Sequence, residues 1–414
     1  VGHTGDSSVR AFRPSVFPTF RLFLVFGIAA CSPGAATLEV GTVEFSGPPG
    51  SAEPNLSATN DGQILFSWHE PTEDGSALRM AVRYNGEWSA PRTIAENRAF
   101  FVNWADFPSL IALHDGTLLA HWLEKTAKST YAYHVMLSRS TDGGATWSDP
   151  VRPHRDLSPQ EHGFVSMVPG PGGGAALMWL DGRAMAGQVG PDGHPSGAMS
   201  VRFTTMGADG ALGDELLIDE RACDCCQTAL ALTHDGTWVA AYRDRSAEEI
   251  RDIAVSRLVD GAWSDPIHVG NDNWHITGCP VNGPALATND ETVVIAWYSA
   301  PDGNGHASVA FSRDDGVTFG GPVRVDDGNP LGRVDVELLQ DGSALVVWLE
   351  KVGTEAEVRA RRVEPSGVTG PSWIVTQTSQ ARRSGFPHMA RSGDDLVFAW
   401  TDGEGVRVAS GKIQ

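Results

Sequence analysis

Apolar and polar residues alternate with a period of two along most of the chain, and the alternation reverses at short turns rich in Asp and Gly. From Phe107, the apolar positions Leu110 and Ala112 and then Leu118, Ala120 and Trp122 flank His114-Asp115-Gly116. That pattern is a β-hairpin whose reversal uses residues that tolerate positive φ. Tyr133, Val135 and Leu137 resume the alternation, and the segment Ser140 to Trp147 turns the chain again before Val151. The stretch from Phe107 to Val151 is therefore expected to form one antiparallel four-stranded sheet.

The same unit recurs. Its second strand ends in Trp68, Trp122, Trp179, Tyr242, Trp297, Trp348 and Trp400, at intervals of 54, 57, 63, 55, 51 and 52 residues. A four-stranded unit leaves an apolar face that it cannot bury alone, and units packed side by side around an axis bury both faces and close the ring. The expected fold is all-β, a propeller of seven four-stranded blades, with six blades as the runner-up. The last copy, Gly385 to Ile413, supplies about three strands, so Thr37 to Phe45 is expected to supply the fourth from the other end of the chain.

Residues 1–31 read as a secretion signal: Arg10, Arg13 and Arg21 precede the apolar run Leu22 to Ala30, too short to span a bilayer. Ile28-Ala29-Ala30-Cys31 resembles a bacterial lipobox, which implies that Cys31 is lipidated and, with Ser32 following, that the protein resides at the outer membrane. Residues 32–36 would then be a tether and 37–414 a single propeller domain, meeting the membrane through the anchor alone. Residues 1–30 hold three arginines and one aspartate, so the remainder carries a net charge near −22 against −20 for the whole chain. An acidic surface of that size disfavours nucleic acid as a partner.

In a propeller, the loops that enter each blade and those that follow each Trp strand share one face, here called the top. Loops on a rigid scaffold are where sites are built, so a glycan or small-molecule ligand is expected at the top-face mouth. The cysteines concentrate there. Cys223, Cys225 and Cys226 open one blade and Cys279 opens the next. Three readings stay open: a disulfide from Cys279 to one of the triplet, a copper or zinc site on Cys223, Cys225, Cys226 and Cys279 with His162, His121 or His275, and reactive thiol chemistry.

Ser140-Thr141-Asp142-Gly143-Gly144-Ala145-Thr146-Trp147 and Ser312-Arg313-Asp314-Asp315-Gly316-Val317-Thr318-Phe319 resemble the Asp-box of the sialidase superfamily. The box has a structural role, since its Asp accepts backbone N–H groups inside the turn and its aromatic ring packs between sheets. The resemblance implies a glycoside hydrolase or glycan-binding protein for terminal acidic sugars, needing no cofactor. It also implies Arg183, Arg243 and Arg333 as the carboxylate clamp, Asp244 as acid/base and Glu248 or Glu249 as its helper. Tyrosine occurs only at Tyr84, Tyr131, Tyr133, Tyr242 and Tyr298, none of them in the late blades where the family nucleophile lies. A non-glycosidase propeller with a Cys/His metal or redox site is the alternative, and an interaction scaffold stapled by disulfides a further one.

Overall fold

The computed structural model describes residues 36–187 and 197–414, together with Gly2. Cys31 and the signal region lie outside the described residues. Seven antiparallel sheets follow one another along the chain. Their innermost strands are Ala52–Ala58, Ser109–Ala112, His162–Pro169, Ala229–Leu232, Ala285–Thr288, Pro330–Leu338 and His388–Ser392, defining blades 1 to 7 in that order. Each innermost strand lies against the next, and the seventh against the first. The ring is closed by the chain ends, because Leu38–Ser46 pairs antiparallel with Val406–Ile413 and completes blade 7.

The apolar alternation explains the core. Seven clusters of buried side chains occupy the seven gaps between blades, so every sheet buries both faces. Trp68, Trp179, Trp297 and Trp348 are fully buried. Their indole N–H groups donate to Glu70, Asp181, Asp272 and Glu350, which satisfies a polar atom that burial would otherwise leave unpaired. Part of the charge that the top loops carry in sequence thus holds tryptophans in place.

The two Asp-Gly turns that resemble Asp-boxes are caged by hydrogen bonds. Asp142 Oδ1 accepts Ala145 N–H and Thr146 N–H at 3.0 and 2.9 Å, and Asp314 Oδ1 accepts Thr318 N–H at 2.9 Å. Trp147 and Phe319 pack against the gaps between blades 1 and 2 and between blades 4 and 5. Blade 2 departs from its expected four strands. Its outer edge shrinks to one bridge between Leu137 and Val151, because Pro150 and Pro153 flank that residue and cannot donate to a ladder.

Candidate active site at the mouth of the propeller

Register locates the rim. Asn55, Ser109, Ser166, Ala229, Ala285, Asp335 and His388 occupy equivalent ladder positions, each opposite the residue preceding a core Trp or Tyr. Two residues earlier stand Glu53, Phe107, Phe164, Gln227, Gly283, Arg333 and Phe386. In blades 1, 3 and 6 the ladder shifts register there, and Glu53, Phe164 and Arg333 adopt φ of 58°, 53° and 55°. A non-glycine residue held in the left-handed region costs roughly 1–3 kcal/mol and persists where the surroundings over-determine it. Both charged members of the rim, Glu53 and Arg333, are among these three.

Below the rim, an axial cavity of about 230 Å³ is lined by residues of all seven blades, including Asp106, Phe107, Gln227, Asp335 and His388. Several polar groups in and beside it stitch blades together. Asp106 accepts Phe164 N–H at 2.6 Å, Gln227 donates to Ala105 O and accepts Gly283 N–H, Asn282 accepts Arg333 N–H at 2.6 Å, and Asp335 accepts Met389 N–H at 2.7 Å. Burial pushes Asp106 up to about 7 and Asp335 up to about 6.

Two groups at the rim are not explained by stitching. The Tyr133 hydroxyl lies 3.0 Å from Asp106 Oδ2 and 2.5 Å from Glu161 Oε1. One hydroxyl hydrogen serves one carboxylate, so the other carboxyl must carry a proton that it donates to the tyrosine oxygen. Burial, which also lifts Glu161 to about 8, favours that protonated form. Glu161 is the half-buried end of this proton-holding chain, whereas Tyr133 and Asp106 are buried.

The second group is Arg333. Its guanidinium stacks on Trp104, 4.7 Å from the ring centroid, and Nη1 donates to Gly385 O at 2.9 Å. Among the described residues no carboxylate pairs with it, and burial, then the neighbouring Arg382, lowers it to about 10. A guanidinium presents a planar fork of donors whose geometry matches a carboxylate.

The remaining residues named for catalysis are placed elsewhere. Arg243 is fully buried, and Nε, Nη1 and Nη2 donate to Asn282 O, Arg251 O and Tyr298 O at 2.8, 2.6 and 2.5 Å, so it cannot clamp a ligand. Arg183 is held by Asp181 and Glu215 in blade 3. Asp244 accepts from His268 at 2.8 Å on the outermost strand of blade 4, and exposed Glu248 bonds to Ser246. These four do not assemble around Arg333: Arg243 is tied to backbone carbonyls of blades 4 and 5, Arg183 to carboxylates of blade 3, and Asp244 and Glu248 to neighbours in blade 4. Trp104 stacks on Arg333 and Glu161 bonds to Tyr133 instead; of these, the Glu161 junction was legible as a loop at a blade entrance, while Trp104 carried no distinguishing pattern.

The cysteines converge beside the mouth. Cys225 and exposed Cys279 form a disulfide with Cα atoms 6.1 Å apart, joining the entrances of blades 4 and 5. Beneath it the buried thiols of Cys223 and Cys226 have sulfurs 2.6 Å apart, and Arg251 Nη1 donates to Cys223 Sγ at 3.5 Å. Burial alone would raise Cys223, but the Cys226 thiol and the Arg243 and Arg251 charges outweigh it and bring Cys223 down to about 7. Burial and Cys223 push Cys226 up. A four-thiolate site completed by His162 is not what forms. Disulfide sulfurs are not thiolates, and among the described residues no histidine joins the cysteine group; His162 sits with His134 and His154.

No protein-family model and no curated protein matches the chain. Solved structures do. A protein of unknown function from Dyadobacter fermentans is 16% identical with TM-score 0.52, over 92% of this chain and 100% of that one. Polysaccharide lyase Uly1 is 8% identical with TM-score 0.52, over 89% and 91%. Hadza microbial sialidase Hz136 is 14% identical with TM-score 0.49, over 82% and 74%. At such identities the likeness to the first two shows the fold alone, a β-propeller.

Proposed function

We propose that the mouth receives an acidic sugar whose carboxylate pairs with Arg333, and that Glu161, backed by Tyr133 and Asp106, handles the proton in cleavage of the adjoining glycosidic bond. The observation that carries this reading is Arg333 itself, a buried cation on strained backbone, stacked on Trp104 and lacking an anionic partner among the described residues. A carboxyl held near 8 remains protonated at neutral pH, the state a general acid needs. The test uses calorimetric binding and turnover of aryl glycosides of N-acetylneuraminic acid and glucuronic acid. Wild type should bind one of them, Arg333→Ala should weaken that binding at least about tenfold, and Glu161→Gln should bind without turnover. A wild type that binds neither sinks the proposal.

The thiols of Cys223 and Cys226 favour a second reading, a soft-metal or redox pair beside the mouth, since the two sulfurs face each other and the Cys226 contact, with the Arg243 and Arg251 charges, lowers Cys223 toward thiolate. A free-thiol count with copper(I) titration separates the two readings. We also propose that the protein works outside the cytoplasm on a lipid anchor at Cys31. The Cys225–Cys279 disulfide supports an oxidising compartment. Cys31→Ala should leave the membrane fraction, and unchanged fractionation would refute the anchor.

A further inference from the structure

The four cysteines beside the mouth hold two oxidation states in one cluster. Cys223 and Cys226 are buried thiols with sulfurs 2.6 Å apart, whereas half-buried Cys225 is bonded to exposed Cys279. The sulfurs of Cys223, Cys225 and Cys226 all lie within 4.8 Å of one another. A reduced pair thus adjoins an oxidised pair, and only the oxidised pair reaches the surface. A staple between blades needs the disulfide alone and leaves the dithiol behind it without a role.

Thiol–disulfide exchange needs a thiolate next to a disulfide sulfur and a leaving sulfur with room to depart. Both are present. Arg251 Nη1 donates to Cys223 Sγ at 3.5 Å, and Glu249 aims that guanidinium by accepting Nη2 at 2.8 Å. A cation at the sulfur favours the thiolate, which makes Cys223 the attacking group. On the other side, Cys279 belongs to the strandless segment between Ile267–Val269 and Ala285–Thr288. Ile276 fastens that segment by donating its N–H to Glu249 O at 3.0 Å, and Asn282 fastens it again by donating to Pro280 O at 3.1 Å. Among the described residues, the backbone N–H groups of Thr277, Gly278 and Cys279 donate no hydrogen bond, so Cys279 is free to swing outward once its bond to Cys225 breaks.

We propose that the cluster is a thiol–disulfide relay, in which the buried dithiol of Cys223 and Cys226 reduces a disulfide of a partner molecule through the exposed Cys225–Cys279 bond. It rests on the redox form of the second reading given above and adds the chemistry of the partner. The Cys223 thiolate attacks Cys225 Sγ, and the electron pair of the broken bond leaves on Cys279. The Cys279 thiolate attacks the partner disulfide, forming a mixed disulfide and releasing one partner thiolate. Cys226, giving up its proton, attacks Cys223 Sγ and frees Cys225 as thiolate. Cys225 then attacks Cys279 Sγ, which restores the outer disulfide and expels the second partner thiolate. Two protein thiols become one disulfide, one partner disulfide becomes two thiols, and the protons of Cys223 and Cys226 pass to the partner. The relay is independent of the Arg333 reading.

The full chain is purified without oxygen, checked for native circular dichroism, and incubated with glutathione disulfide as the probe. Peptide mapping by mass spectrometry should first find Cys223 and Cys226 as thiols and Cys225 bonded to Cys279. Wild type should then release two glutathiones per chain and finish with Cys223 bonded to Cys226. Cys226→Ser should release one glutathione and keep the other on Cys279, with Cys223 bonded to Cys225, and Cys223→Ser should release none. A folded wild type that releases no glutathione overturns the relay, while copper(I) bound by the same protein would leave the soft-metal form of the second reading standing. Release at the wild-type rate by a chain carrying both Cys225→Ser and Cys279→Ser also overturns the relay, and leaves a redox pair that is reached directly. A native map with Cys223 already bonded to Cys226 removes the electron donor and overturns it too.

Discussion

Two buried arginines each stack on a tryptophan, one at the end of the second strand of blade 4 and one at the entrance of blade 6: Arg243 on Trp274 at 4.9 Å and Arg333 on Trp104 at 4.7 Å. Three nitrogens of Arg243 are satisfied by backbone carbonyls, and the disulfide between blades 4 and 5 lies alongside. Arg333 donates through Nη1 alone, to Gly385 O and, more weakly, Ala381 O, on a residue with φ of 55°. The same side chain therefore ties carbonyls together on one side of the mouth and remains available on the other. What separates them is the supply of acceptors, which sequence does not display.

The comparison is broken or sharpened by four measurements. Replacing Cys225 and Cys279 by Ser opens a loop of 54 residues, and the chain-entropy model puts the loss near 4 kcal/mol. Urea unfolding should show it, and a loss below about 1 kcal/mol would mean that blades 4 and 5 are held by packing alone. Arg243→Ala leaves buried carbonyls unpaired and should destabilise by about 3 kcal/mol, whereas Arg333→Ala should cost little stability. Equal costs in thermal melts would erase the contrast. In binding, the order reverses: Arg333→Ala should weaken an acidic sugar by at least about tenfold, the worth of one charge-assisted hydrogen bond, while the disulfide variant should keep its affinity if it folds.

The smallest effect is in pH dependence. Burial holds Asp106 at about 7 and Glu161 at about 8, above their ordinary 3.8 and 4.5. The folded chain thus keeps protons that the unfolded chain releases, and stability should fall as pH rises from about 4 to about 8. Glu161→Gln should flatten the upper part of that window in urea midpoints, and an unchanged slope would show that Glu161 titrates normally.

Much of the fold was legible because it depends on a local, repeated signal. Seven Trp or Tyr strands at blade spacing, each preceded by a turn, specify seven sheets, and the spare strand near Thr37 has one place to pair. The site was legible only as a face. Glu161, Cys223 to Gln227 and Arg333 could be placed at blade entrances by counting, and the proximity of Cys279 to the triplet follows from ring closure. Which arginine has donors to spare, which carboxyl keeps its proton beside Tyr133, and which histidines meet at the blade 2 and blade 3 junction were decided by tertiary structure. Those properties depend on burial and on acceptors contributed by neighbouring blades, and no periodicity within one strand records what the adjacent blade supplies.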